Sequence, residues 1–319
     1  MRNFHVVIRC ANERTQSVSW KLARHQVDVD EDISVVSEVP FEAALRAAYE
    51  AGIRAGREWT ITLDADVLLI GDAISRLLEH AQRMPGHFMQ LEGLVYDKIV
   101  GRYRSAGHRV YRTELLPRAL REIPKPGSQI RPELFTVKRM GQQGHPSRYG
   151  SYVVGLHDYE QSYCDLYRKG AVHSRKWSPI LPDLIRRCAQ NMRADPDFLV
   201  VLKGIWDGLA TRDSLAIDRR LFSDSAPEAL RSLGIEEKGE IEDEGRFVAE
   251  FAAMFDEITS RNPASDANTD EPIPCDPVDP GERRWANQVR ERISKHGVLR
   301  GSAASVGALL RRIGNTLDR

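Results

Sequence analysis

Four cysteines in 319 residues, Cys10, Cys164, Cys188 and Cys275, stand far apart and form no C-x-x-C pair. That spacing gives neither a disulfide framework nor a zinc signature, and it suits a reducing compartment. No apolar run approaches the roughly 20 residues that cross a bilayer. The amino-terminal "MRNFHVVIRC" has only a few apolar residues before Arg9, so it reads as a first strand and not as a signal peptide. No charge is in excess: 46 Lys and Arg face 46 Asp and Glu. A chain without a basic surplus is poorly suited to coat nucleic acid. No Gly-rich phosphate loop follows the first strand, which disfavours a nucleotidyltransferase, and there are no internal repeats. The expected location is the cytoplasm.

What remains is ordinary globular material, 41% apolar and 29% charged. The length fits one domain of about 180–200 residues with a helical extension. "FHVVIRC", "ISVVSEV" and "WTITL" are apolar, β-rich runs. Between them, "NERTQSVSWKLARHQV" reads as a loop feeding a helix. "PFEAALRAAYEAGIRAGRE" opens on proline and repeats apolar residues every three to four positions, an amphipathic helix. Ile74, Leu77, Leu78 and Ala81 mark another helix. Strands alternating with helices predict an α/β sheet, mostly parallel and flanked by helices. From about Ser178 the period is helical, with Phe247, Phe251, Met254, Phe255 and Ile258 spaced to line one face. The expected division is a sheet domain at residues 1–177 and a helical extension at 178–261. A Pro- and Asp-rich linker at 262–282 and a basic amphipathic segment at 283–319 follow.

The chemistry centres on "WTITLDADVLL". The chain contains four D-x-D pairs: Asp28/Asp30, Asp30/Asp32, Asp64/Asp66 and Asp195/Asp197. The first two lie in a polar loop, and Asp197 reads as a helix N-cap. Only Asp64/Asp66 ends a strand and precedes more apolar sequence. Ligands of open α/β sheets bind beyond the carboxyl ends of the strands. Alternate residues of extended chain share a side, so two hard oxygen donors there suit Mg²⁺ or Mn²⁺ with positions left for phosphate. A solvated turn capping the next helix is the structural alternative.

The order strand, "NERTQSV", strand, Ala-rich helix and "WTITLDADVLL" resembles the nucleotide-binding half of GT-A fold glycosyltransferases, closely over residues 4 to 80 and loosely to about 175. The resemblance implies a GT-A-like (Rossmann-like) fold and a nucleotide-diphosphate sugar donor. It places Asp66 on the metal, and Asp64 on the ribose or on the metal through water. Arg9, Asn12, Glu13 and Arg14 fall where the nucleotide is held, and Asp32 or Glu38 where the base is gripped. The metal would act as a Lewis acid on the departing diphosphate.

A second cluster lies in "YVVGLHDYEQSYCDLYRKGAVHSRKW". The family often supplies a late metal ligand and an acidic residue near the acceptor. His157 is the candidate ligand with His173 competing, and Asp158 or Glu160 the candidate base if the anomeric centre inverts. Arg168, Lys169, Arg175 and Lys176 are candidates to balance phosphate charge. The structural alternatives are a capping box from Asp158 to Gln161 and an Asp165–Lys169 ion pair. "KRMGQQGHPSRYGS", with Gly141, Gly144, His145 and Arg148, is either a lid over a diphosphate or a plain mobile loop.

The basic tail carries two competing expectations. One is an amphipathic helix at the inner face of the membrane, drawing the protein to lipid-linked acceptors; the other is a helix docked on its own core or on a partner subunit. Together these expectations describe a metal-dependent, hexosyltransferase-like enzyme acting on an unidentified acceptor, either a glycan, with cell-surface glycans among the candidates, or a lipid-linked one. The alternatives are a catalytically silent sugar-nucleotide-binding or scaffolding protein and a D-x-D phosphohydrolase. The phosphohydrolase fits less well, because its motif belongs on a first strand and Leu68 stands where Thr or Val is usual.

Overall fold

The computed structural model describes residues 3–176, 180–211 and 218–262. The linker beyond Asn262 and the basic tail, with the membrane and partner expectations placed on them, lie outside the described residues. The chain divides into two compact units. The first runs from the amino terminus to Gln161 and takes in residues from Glu240 onward; the second comprises most of the chain between.

The elements of the first unit are β1 (Phe4–Arg9), α1 (Gln16–Arg24), β2 (Ile33–Val36), α2 (Phe41–Ala55), β3 (Trp59–Asp64), β4 (Val67–Leu69), α3 (Ala73–Gln82), β5 (Gln90–Asp97), β6 (Arg102–Arg104), β7 (His108–Arg112), α4 (Leu116–Glu122), α5 (Pro132–Gln142) and β8 (Ser147–His157). Every residue of β1 is buried, as an apolar run flanked by strands on both sides and covered by helices should be. The sheet order is β2-β1-β3-β7-β5-β8-β4, with β6 pairing β5. The α/β architecture is the one the sequence predicts. Its parallel part is confined to β2-β1-β3 and the β5-β8 pair. The remaining ladders are antiparallel, so the sheet is mixed. Short strands such as β6 and β7, with no long apolar run, left these pairings unmarked in the sequence.

One feature of the order positions the site. β4 follows β3 after only Ala65 and Asp66, yet β7, β5 and β8 lie between them in the sheet. Four strand spacings on a flat sheet would be about 19 Å, whereas three peptide steps reach about 11 Å. The sheet therefore curls. Register shifts on either side of Leu94 mark the bend. At its centre, Gly93 N–H donates to His108 Nε2 (2.9 Å) and Gly93 C=O accepts from Ser105 Oγ (3.0 Å). Both backbone groups that an irregular ladder would orphan are thus satisfied. His108 Nδ1–H donates to Ala106 C=O (2.8 Å), fixing a neutral ring.

The second unit contains α6 (Tyr163–Arg175), α7 (Leu181–Asn191), α8 (Pro196–Ala210) and α9 (Ser225–Leu233). The final helix, α10 (Glu244–Arg261), which the sequence placed in the helical extension, packs within the first unit. Phe247, Phe251, Met254, Phe255 and Ile258 share one apolar cluster with Val18 and Leu22 of α1 and with Leu68 and Leu156, the face their spacing predicts. Glu244 adds contacts to Ser17 Oγ (2.5 Å) and Lys21 Nζ (2.7 Å).

Several local expectations are corrected. The helix cap belongs to Ser162, four residues on: Ser162 Oγ accepts from Asp165 N–H (3.1 Å) and donates to Asp165 Oδ2 (2.8 Å). Asp158 is no cap, since it lies in left-handed backbone at φ 64°. Asp165 is buried and faces Arg168 and Arg219. Asp195, not Asp197, caps α8. The supposed lid "KRMGQQGHPSRYGS" is the end of α5 and the start of β8 with a four-residue connection. It joins the amino-terminal end of an eleven-residue strand, about 33 Å from His157 at the other end. It therefore cannot close over the acidic pair.

Candidate metal centre

β3 ends at Asp64, the chain steps through Ala65, and Asp66 leads into β4, which pairs antiparallel with the last residues of β8, Val67 against His157. That pairing puts Asp66 beside His157 and Asp158. Asp158 N–H donates to the Asp66 carbonyl (3.2 Å). His157 Nε2 lies 3.5 Å from Asp66 Oδ1. One donor atom from each of Asp66, His157 and Asp158 falls within 4.8 Å of the others, and all three residues are buried.

A fourth residue, which the sequence did not single out, orients the histidine. Asp97, at the end of β5, has no exposure. Its Oδ2 accepts from Arg104 Nε (2.7 Å) and lies 2.9 Å from His157 Nδ1, while Oδ1 accepts from Val100 N–H (2.7 Å). Burial works against its charge, but Arg104 and His157 hold its carboxyl well below the ordinary range. Nδ1 faces the ionised Asp97 carboxylate and so carries a hydrogen, which leaves Nε2 as the ring nitrogen that faces Asp66. Carboxylate-backed imidazoles of this kind are the usual metal-ligating histidines. Asp158 Oδ2 lies 3.1 Å from the same Nδ1. Two carboxylates and one imidazole nitrogen form a mixed oxygen–nitrogen donor set that fits Mn²⁺, and the residues present suit a divalent ion. Gly107, at φ 67°, floors the cluster. A Cβ there would lie 2.4 Å from Val67 Cγ2, 3.4 Å from His157 Cδ2 and 3.5 Å from Asp64 Cβ.

Asp64 stands outside that group. Its Oδ1 accepts from Arg9 Nε (2.8 Å). Burial and the charges of Asp66 and Glu133 push its carboxyl up, with Arg9 opposing. Arg9 is buried, and its guanidinium also meets both oxygens of Glu133 (2.8 and 3.4 Å), the residue after the first-turn proline of α5. Arg109 pairs with Glu133 and with Glu92 (2.9 Å), and Tyr111 Oη donates to Glu133 (2.8 Å). Glu133 accordingly stays ionised: against burial, Arg109 and Arg9 bring it down to about 2. This buried chain of alternating charge was illegible in the sequence, because "RPELF" gives no sign of reaching a residue 124 positions away.

The remaining candidates fall as follows. Asn12 and Glu160 are, with Asp158, the non-glycine residues at positive φ among those described (59° and 55°), a cost of order 1–3 kcal/mol each. Glu13 folds back on its own loop, its Oε2 accepting from Ala11 N–H (2.5 Å). Arg14 donates to the Glu160 carboxylate (2.7 Å) and carbonyl (3.1 Å). Thr15 Oγ1 donates to Ala65 C=O (2.8 Å) and accepts from Gln161 Nε2 (2.8 Å), tying the loops after β1, β3 and β8 together. Asp32 lies before β2, the end opposite the site, and pairs with Arg57 (2.8 Å); Glu38 follows the strand at the site end. Arg168, His173 and Lys176 belong to the second unit, where Arg168 meets Asp165 at 3.4 Å.

No protein-family model matches the chain, and no curated protein matches it in sequence. Solved structures do. One is a mannosyltransferase, PcManGT, from Pyrobaculum calidifontis in complex with GDP-Man and Mn2+. It is 12% identical, covering 90% of this chain and 84% of that one, with a TM-score of 0.37. TarS of S. aureus is 12% identical over 64% of this chain and 80% of that one, with a TM-score of 0.35. A CMP:2-keto-3-deoxy-manno-octonic acid synthetase complexed with CTP is 11% identical over 48% and 90%, with a TM-score of 0.34. At such identities and scores the likeness is loose.

Proposed function

We propose that the protein is a metal-dependent glycosyltransferase taking a sugar from a nucleotide-diphosphate donor to a glycan or lipid-linked acceptor. The observation that carries this reading is the Asp66–His157–Asp158 group, backed by ionised Asp97 where β4 meets β8. When bound there, Mn²⁺ or Mg²⁺ supplies Lewis-acid neutralisation of the departing diphosphate. Asp66 and His157 would hold the ion, and Asp158, expected from the sequence as a base, would join them as a carboxylate donor. Glu160 is then the base candidate; its side chain is 43% exposed, and it must leave Arg14 to act. Arg14, so released, would then be free to pair with phosphate. Arg9 fixes Asp64 as a preset acceptor for donor hydroxyls.

Electron paramagnetic resonance with Mn²⁺, followed by nucleoside-diphosphate release from UDP- and GDP-sugars, tests the reading. Wild type should bind one tight Mn²⁺ and release diphosphate, and Asp66→Asn should lose both. Mn²⁺ and donor binding without turnover across acceptors would favour the catalytically silent alternative. Unaltered Mn²⁺ binding in Asp66→Asn refutes the site itself. Among the described residues no helix is long and apolar enough to cross a membrane.

A further inference from the structure

A second cluster of functional side chains lies on the other stretch of β8, five residues and about 16 Å along the strand from His157. Tyr152 is 9% exposed, and its hydroxyl is buried with no hydrogen-bond partner. The His80 ring of α3 stacks on it, centroids 4.2 Å apart and planes at 13°. The Arg76 guanidinium sits 5.8 Å from the same ring, and its NH1 donates to Val153 C=O (3.3 Å). The charges of Arg76 and Arg148 both act on the Tyr152 hydroxyl. Those of Arg83, Arg76 and Arg148 act on His80. Opposing them are Glu79, which acts on His80, and Asp72, 4.0 Å from Arg76 and 63% exposed. Arg76, His80 and Arg83 follow one another at four- and three-residue spacing along α3 and its end, so they share a face; the Arg76 guanidinium lies beside the stacked imidazole and the buried hydroxyl, and the charges of Arg83 and Arg148 reach the same imidazole.

We propose that Arg76, His80, Arg83, Arg148 and the Tyr152 hydroxyl form a binding site for a phosphate monoester, separate from the metal centre. Guanidiniums match phosphate oxygens in pairs, and a dianion satisfies several at once. The Tyr152 hydroxyl, which burial would otherwise penalise, gains an acceptor. Burial lowers the His80 titration, and the Arg83 and Arg76 charges add to that effect. A phosphate placed among them reverses the charge contribution and makes His80 a reporter. Such a group arrives either as a soluble phosphate monoester or as the headgroup of a phosphatidate lipid.

The test follows the His80 ring proton by NMR in the full chain, assigned with His80→Gln, during titration with inorganic phosphate against chloride at equal ionic strength. Phosphate should raise the His80 midpoint by about one pH unit, saturably. Arg148→Gln and Arg83→Gln, both exposed positions, should abolish the shift, and Tyr152→Phe should weaken phosphate binding several-fold. Cosedimentation with phosphatidylcholine vesicles, with and without phosphatidic acid, separates the sources. Binding only to phosphatidate vesicles, competed by phosphate, assigns the lipid headgroup; an NMR shift without vesicle binding assigns the soluble ester. A His80 midpoint unmoved by phosphate, or moved equally in Arg148→Gln or by chloride, overturns the proposal.

Discussion

His108 links the bend of the sheet to the metal centre, and acid should separate them. Its ring is fully buried, accepts from Gly93 N–H and donates to Ala106 C=O. The residue before it, Gly107, accepts from Asp64 N–H at 2.6 Å. Burial, with a smaller push from the Arg109 charge, lowers the ring from the ordinary 6.5 to about 4. A histidine lowered on folding stabilises the protein above its unfolded value, and that stability is lost as the pH falls toward the native one. Below pH 6.5 the unfolded chain takes up a proton that the native ring refuses. At about 1.36 kcal/mol per pH unit, the contribution lost is about 2 kcal/mol at pH 5 and about 3 kcal/mol by pH 4. Other groups titrate over the same range, so the informative quantity is the difference between wild type and His108→Gln. The Gln amide can still accept from Gly93 but has no proton to gain. Hydrogen exchange of β3 and β7 amides reads the first unit alone. His108→Gln should be weaker by about 1–3 kcal/mol at pH 7, and the gap should close as the pH falls. Parallel pH dependence in the two proteins would refute the buried neutral ring and its place in the bend.

Asp97→Asn keeps the shape behind His157 but removes the charge that sets its tautomer, so Mn²⁺ affinity should fall about 10–100-fold, measured by calorimetry. Gly107→Ala puts a Cβ against Val67 at a positive φ and should cost more than about 2 kcal/mol in urea unfolding, with weaker Mn²⁺ binding as well. Phe251→Ala empties a buried position between α10 and α1 and should cost about 3–5 kcal/mol; protease cleavage in α10 should then become fast. Glu133→Gln leaves two buried guanidiniums short of a counter-charge and should cost about 3–5 kcal/mol, read from exchange of the β1 amides.

The first three strands, their helices and the Asp64/Asp66 pair were legible because each depends on local pattern: apolar runs, three-to-four spacing, a proline start and an acidic interruption. The aromatic face of α10 was legible for the same reason, although its partner α1 was not. Contacts made at long range left no local trace. Asp97 gives no hint in "VYDKIV" that it stands behind a histidine 60 residues on. Arg9 resembled a nucleotide contact because it ends a strand; that it turns inward to Glu133 depends on where α5 crosses. The Asp158 cap was misplaced by four residues because Ser162 and Asp165 offer a similar pattern. Glycine and basic content could not choose between a lid and a plain loop for "KRMGQQGHPSRYGS", because it says nothing about which end of a strand a connection joins.

Between Asp64 and Val67 the connection is as short as a turn can be: Ala65 and Asp66 alone join two ends of a bent sheet, like a clasp. One inserted residue there would let the two rims drift apart and strand Asp66 away from the imidazole without touching a single donor atom. Whatever this protein grips, its aperture is set by how tightly the sheet is rolled.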